Sequence, residues 1–135
     1  MIGAMEATEP LMHHPFRTAV EVTSLDGMTA ALAEDVQLYS PVAFRPFRGR
    51  AAAREVFGNL LEVFQDFHYV DELAGSGTHA LIFRAVVGGR TVQGLDHLRF
   101  GPDGRVEEVT VMVRPLSAAV ALAEAMAPRV GHLKG

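Results

Sequence analysis

Between Phe67 and Arg114 three short glycine turns, Gly75-Ser76-Gly77, Gly88-Gly89 and Gly101-Pro102-Asp103-Gly104, cut the chain into four strand-length pieces. Connections this brief join antiparallel neighbours, because a parallel return needs a crossover of about a dozen residues or more. The pieces are 67–74, 78–87, 90–100 and 106–114, and the last three are predicted to form a meander. The rest of the chain must supply what covers that sheet.

The upstream pattern supplies it. Proline suits the first turn of a helix, and from Pro15 onward Phe16, Val20 and Thr23 share one face with Arg17 and Glu21 opposite. Ser24 can cap a second short helix over Leu25 to Leu32, its hydroxyl accepting from a free backbone N–H. Val36, Leu38 and Ser40 then alternate with Gln37, Tyr39 and Pro41 at strand period. Next comes the clearest helix, with Val56, Phe57, Leu60, Leu61 and Phe64 in one apolar stripe and Arg54, Glu55, Asn59 and Glu62 behind it. After the meander Pro115 opens an alanine-rich helix that Pro128 and Gly131 close. The order predicts an α+β domain over 13–130, with helices on the concave side of a strongly curved antiparallel sheet, and tails at 1–12 and 131–135. Such a sheet forms a cone with an open interior.

Composition removes several classes of function. At 135 residues the chain is the size of one domain, and 49% hydrophobic content is ample for a core. There is no cysteine, so thiolate chemistry and cysteine-based metal sites are excluded. A net charge of -4, from 12 basic and 16 acidic residues scattered along the chain, leaves no footprint for nucleic acid. No apolar run approaches the roughly 20 residues of a membrane span. The start lacks a signal peptide's basic and apolar parts, so a cytoplasmic location is expected.

Strand alternation assigns the faces. Arg84 should point away from the interior, which sends Ala80, Ile82 and Val86 outward and Leu81, Phe83 and Ala85 inward. On the next piece Val92, Gly94, Asp96, Leu98 and Phe100 share the inner face, opposite Leu95, His97 and Arg99. Val109, Val111 and Val113 follow on the last. Asp96 is thus expected to face an apolar interior, where a carboxylate is costly unless protonated, hydrogen-bonded or hydrated. A carboxyl so placed can donate a hydrogen bond near neutral pH or shuttle a proton. Solvation at the pocket mouth, or a bond to a neighbouring loop, is the alternative.

The phrases SLDGMTAALAEDVQLYSPV at 24–42, FRGRAAAREVF at 47–57 and GLDHLRFGPDGRVEEVTVMV at 94–113 resemble the SnoaL-like branch of the NTF2-like superfamily, and in particular the ketosteroid isomerases. The resemblance implies a cone-shaped fold, a deep pocket and a homodimer packed through the outer face of the sheet. It also implies that the isomerase acid which stays protonated and donates to a developing oxyanion falls at Asp96, followed by His97. The isomerase base falls at Ser40 before Pro41, and a serine is too weak a base to take a carbon-bound proton unassisted. The isomerase tyrosine falls at Phe16, which has no hydroxyl. The acid used by the related polyketide cyclases falls near Arg114, a base. Steroid isomerisation is therefore not expected from this chain.

Other groups point less sharply. The six histidines show no metal-ligand spacing, so no metal and no cofactor are expected. His13 and His14 read as surface residues, and His97 as part of a dimer interface. Tyr69, expected to share a face with Phe67 and Asp71, could offer a hydrogen bond at the pocket. The loop Phe44-Arg45-Pro46-Phe47-Arg48 could gate the pocket or hold an anionic group, and it could equally be a plain turn. The expected ligand is an apolar small molecule bearing a carbonyl or a ring. Asp96 is its proton donor, and Phe16, Ser40, Phe57, Leu61, Tyr69, Phe83, Leu98, Val111 and Val113 shape the cavity. Two readings remain: an isomerase, cyclase or hydrolase that needs no cofactor, and a non-catalytic ligand-binding or dimeric assembly module.

Overall fold

The computed structural model describes residues 13–133. The expected tail at 1–12, and the last two residues of the one at 131–135, lie outside them. Helices α1 (Pro15–Glu21) and α2 (Leu25–Ala30) come first, then β1 (Leu32–Tyr39), the two-residue β2 (Phe47–Arg48) and helix α3 (Arg50–Val63). Strands β3 (Gln65–Ala74), β4 (Thr78–Val87), β5 (Arg90–Phe100) and β6 (Val106–Arg114) lead to α4 (Leu116–Val130). The six strands form one sheet in the order β2-β1-β6-β5-β4-β3. All neighbours are antiparallel except β1 and β6, which run parallel. The chain reaches β6 from β1 through the whole of α3 and the meander, which is the long connection a parallel pair demands.

Local chemistry sets the helix ends. Ser24 Oγ accepts from Gly27 N at 3.0 Å, the expected cap. His14 caps α1 in the same manner, Nδ1 accepting from Phe16 N at 3.1 Å, while its ring stacks on Phe100 with centroids 4.4 Å apart. The histidine expected at the surface is therefore a joint between α1 and β5. Thr23 lies beyond α1 at φ 51, and α2 ends at Ala30 because the chain is already extended from Leu32. Pro128 does not close α4 but sits inside its last turn, and Gly131 is the cap. Leu133 beyond it packs against the core.

The inner sheet face follows the alternation. Leu81, Phe83, Ala85 and Val87 of β4, Val92, Asp96 and Leu98 of β5, and Val109 and Val111 of β6 are buried, while Arg84 and Met112 are exposed. Full burial of a Leu or Phe side chain stabilises by roughly 1.5–3 kcal/mol, and Asp96 is buried among these apolar side chains. Gly94 is fixed by packing: a Cβ there would stand 2.0 Å from Cζ of Phe83, whose ring lies flat over the glycine.

Strand β3 departs from the expected pattern. Tyr69 pairs with Phe83 but Asp71 pairs with Ile82, so the register slips by one residue at Val70. A bulge of this kind reverses the alternation beyond it. Phe67 and Tyr69 face inward as expected, Asp71 is exposed, and Glu72 takes the inner position opposite Leu81.

Candidate functional site

A cavity of about 440 Å³ lies between the inner sheet face, α1 and α3. Phe16, Val20 and Met28 line it from the first two helices, Phe57, Leu60, Leu61 and Phe64 from α3, and Phe67, Tyr69, Phe83, Asp96 and Val111 from the sheet. Glu21, Thr23 and His68 complete the lining with polar groups. Phe16 and Phe57 meet edge to face at 5.4 Å, and Phe83 stacks with Phe67 at 4.7 Å. Aromatic pairs of this kind make stiff walls.

Asp96 is 8% exposed and, counted by whole residue, is the one buried polar or charged residue among those described. Its Oδ2 accepts from the Tyr69 hydroxyl at 3.2 Å, and no cation is bonded to it among the described residues. Burial pushes the carboxyl up to about 7, against a smaller downward pull from the tyrosine hydrogen bond. Burial also holds the Tyr69 phenol well above its ordinary value, with the neighbouring Asp96 charge adding to the effect. Near neutral pH the pair therefore offers one exchangeable carboxyl proton and one phenol that keeps its own. Such a pair can donate to a carbonyl, enol or ether oxygen placed between them.

A second acid lies close by with the opposite chemistry. The Glu72 side chain is 2% exposed and takes bonds from Arg17 Nη1 at 3.0 Å, His13 Nδ1 at 2.8 Å and His79 Nδ1 at 2.6 Å. Burial alone would raise it, but bonds from His79, His13 and Arg17 outweigh burial and hold it below the usual carboxylate range. Arg17 also lies over the Tyr69 ring, 5.3 Å from its centroid, and bonds Glu21 Oε2 at 3.2 Å. The aromatic half of the Asp96 pair is thus packed against the cation that neutralises Glu72.

Asp96, Phe16, Phe57, Leu61, Tyr69, Phe83 and Val111 come together as expected. Ser40, Leu98 and Val113 do not. Ser40 lies past the end of β1, its Oγ accepts from the amides of Val42 and Ala43, and it borders a different cavity. Leu98 is on the right face and fully buried, but it does not line the cavity. Val113 does not line the cavity either; its partner on β5 is Gly94, against which the Phe83 ring packs. The loop at 44–48 also stands away from Asp96: Phe44 is exposed, Phe47 is buried, and neither Arg45 nor Arg48 lines the cavity. Of the exposed lining residues, Thr23 shared the predicted face of Phe16 and Val20, whereas Glu21 at the end of α1 and His68 on the edge strand β3 carried no signal in the sequence.

Comparison with known proteins agrees with this fold. The sequence pattern of the SnoaL-like domain matches residues 14–109. A steroid delta-isomerase from Pseudomonas aeruginosa is 32% identical, with 93% of this chain and 97% of that one covered and a TM-score of 0.83. An uncharacterised protein with a cystatin-like fold from Silicibacter pomeroyi is 29% identical over 87% of this chain and 86% of that one, with a TM-score of 0.82. The fold also recurs in the epoxide hydrolase/cyclase-like enzyme SalBIII of pyran ring formation in salinomycin, at 19% identity, 75% and 86% coverage and a TM-score of 0.63. No functionally curated protein matches the sequence. The chain belongs to the SnoaL-like domain family, among the ketosteroid-isomerase-like members of the NTF2-like superfamily.

Proposed function

We propose that the protein binds an apolar small molecule through one carbonyl or ring oxygen, to which Asp96 donates, and acts on it without a cofactor as an isomerase, cyclase or hydrolase. The observation that carries this reading is the one buried carboxyl of the lining, Asp96, pushed up to about 7 and facing a 440 Å³ cavity of mostly apolar walls with a phenol bonded to it. A protonated Asp96 would stabilise negative charge growing on the ligand oxygen, and its burial would keep water from competing. Steroid isomerisation is not part of the proposal, although a 32% identical relative carries that name. The positions that resemble the isomerase base and tyrosine are Ser40, outside the cavity, and Phe16, without a hydroxyl.

The non-catalytic reading has its own support. Glu21 and His68 are the other titratable groups of the lining besides Asp96 and Tyr69; Glu21 is bonded to Arg17, and both are exposed. A binding module needs nothing more than Asp96 and Tyr69. A thermal-shift screen of phenols, sterols and polyketide-like ketones, repeated with Asp96→Asn, tests the shared core of both readings. A ligand that raises the wild-type melting point and loses that effect in the variant supports it. Equal stabilisation of both proteins refutes it. Turnover of such a ligand then separates enzyme from binder.

We place the protein in the cytoplasm as a homodimer formed through the outer sheet face. Ile82, Leu95 and Met112 align in register across β4, β5 and β6 as an apolar row on that face, and Met112 is 57% exposed. Sedimentation should give twice the chain mass, and Leu95→Arg should halve it. A wild-type monomer at micromolar concentration removes the dimer from the proposal. No helix among the described residues is long and apolar enough to cross a membrane.

A further inference from the structure

A second cavity, of about 340 Å³, lies beneath α4 and beside the loop that follows β1. Leu60, Phe64 and Val111 line both cavities, so a wall of three apolar side chains divides them. Their chemistry differs. The first holds Glu21, Thr23, His68, Tyr69 and Asp96, whereas Ser40 supplies the one polar side chain of the second. Its oxygen is already occupied by two backbone amides. Leu122, Met126 and Val130 of α4 and Leu38 and Phe47 of the sheet make the remaining surface hydrocarbon.

We infer that the two cavities receive one elongated ligand, with its oxygen-bearing head at Asp96 and Tyr69 and a hydrocarbon tail beneath α4. The inference rests on the proposed role of the Asp96 cavity and adds the shape of the ligand. A head group alone would leave the apolar chamber to water that finds only the Ser40 O–H as a side-chain partner, and a hydrocarbon tail would displace that water at little polar cost. The dividing wall can yield. Phe64 is the residue at which α3 gives way to extended chain, and Leu60 and Phe64 are half-buried, so a rotamer change at the helix end opens a passage. The aromatic neighbours of the Phe64 ring are Phe67 and Phe83, with centroids at 5.5 and 5.6 Å, and both line the Asp96 cavity.

Isothermal titration of a series of para-alkylphenols, from p-cresol through p-butylphenol to p-octylphenol, tests the inference. With wild-type protein the affinity should climb beyond p-butylphenol by about two- to fourfold per added methylene. Ala123→Phe adds a ring on α4, at a residue that lines the second cavity alone. It should leave p-cresol binding unchanged and abolish the advantage of p-octylphenol, a loss of roughly tenfold or more. Ala127→Leu, a smaller filling at an exposed position of the same wall, serves if the larger residue prevents folding. Octyl and butyl compounds that bind equally, or an octyl advantage that survives both fillings, would overturn the inference. Asp96→Asn should weaken every member by one common factor. A chain-length gain that responds to the fillings while Asp96→Asn weakens nothing leaves the tail chamber standing and removes the head assignment. No binding by any member overturns both.

Discussion

Glu72 and Asp96 occupy the same cross-strand row, since Glu72 pairs with Leu81 and Leu81 with Asp96. Two strand spacings separate them, about 10 Å. Both side chains lie on the inner face and both are nearly covered, yet burial has opposite outcomes for them. Glu72 meets three nitrogen partners and stays ionised; Asp96 meets a phenol and holds its proton to about 7. The difference is a matter of position in the row. Glu72 is on the edge strand, where α1 and the residue before its cap bring Arg17 and His13, and β4 brings His79. Asp96 is two strands further in, between Leu81 and Val111, where the neighbouring strands have only hydrocarbon to offer. A paired acid at the rim holds the N-terminal helix to the sheet, and an unpaired acid inside is available to a ligand.

The largest test removes the inner acid. For a carboxyl raised from 3.8 to about 7, the folded protein keeps its proton between those values while the unfolded chain ionises. Stability contributed by Asp96 is therefore full below about pH 4 and falls as pH rises to about 7, a total of up to roughly 4 kcal/mol. Asp96→Asn should remove that slope. Urea denaturation from pH 4 to pH 9 should find the variant the more stable protein at pH 8, and near parity at pH 4. A wild-type curve without the decline, or a variant that retains it, breaks the comparison from the Asp96 side.

Glu72→Gln acts on the other acid with the opposite sign. A depressed carboxylate contributes stability above its unfolded value and loses it as pH falls through its folded one, so its window lies below about pH 4. At pH 7 the variant should be destabilised by about 2–3 kcal/mol, the cost of charge-assisted bonds lost at a covered site. As pH falls below about 4 the loss should shrink. Because Arg17 packs over Tyr69, the same variant should also loosen the phenol, visible as weaker binding of any Asp96-dependent ligand. Unaltered ligand affinity would show that the two acids work independently.

The sequence made much of this legible and hid the part that distinguishes the acids. Period-two alternation placed Asp96 on the inner face of β5, because an unbroken strand carries the pattern from Val92 to Leu98. It misplaced Asp71, since one extra residue at Val70 reverses every side chain beyond it and nothing in Tyr-Val-Asp-Glu marks that position. The same limit applies to Ser40, Leu98 and Val113. Alternation assigns a face but not how far along it the empty space extends, which depends on the Phe83 ring and on where β1 ends. Gly94→Ala would test that account of the cavity boundary. The added methyl must displace the Phe83 ring toward the cavity, costing roughly 1–2 kcal/mol and excluding ligands from the Asp96 end. A variant of full stability and affinity would show that the ring is not held there by the glycine.

Tyr69→Phe asks the smallest question of the pair and the most specific one. The phenol donates one neutral-to-carboxyl hydrogen bond at 3.2 Å, so its loss should cost about 1 kcal/mol or less in stability. Its effect on Asp96 should be clearer than its effect on folding. The hydrogen bond is what pulls the carboxyl down against burial, and without it the proton is held to still higher pH. Carbon-detected NMR titration of the Asp96 carboxyl should show a midpoint above the wild-type one, and the pH-dependent loss of stability should extend by the same interval. The Arg17 cation above the ring is retained in the variant because phenylalanine presents the same face. An upward shift with Glu72 unaffected would separate the two acids cleanly, whereas a downward shift would mean that water enters when the hydroxyl leaves and that the inner site is wetter than its wall.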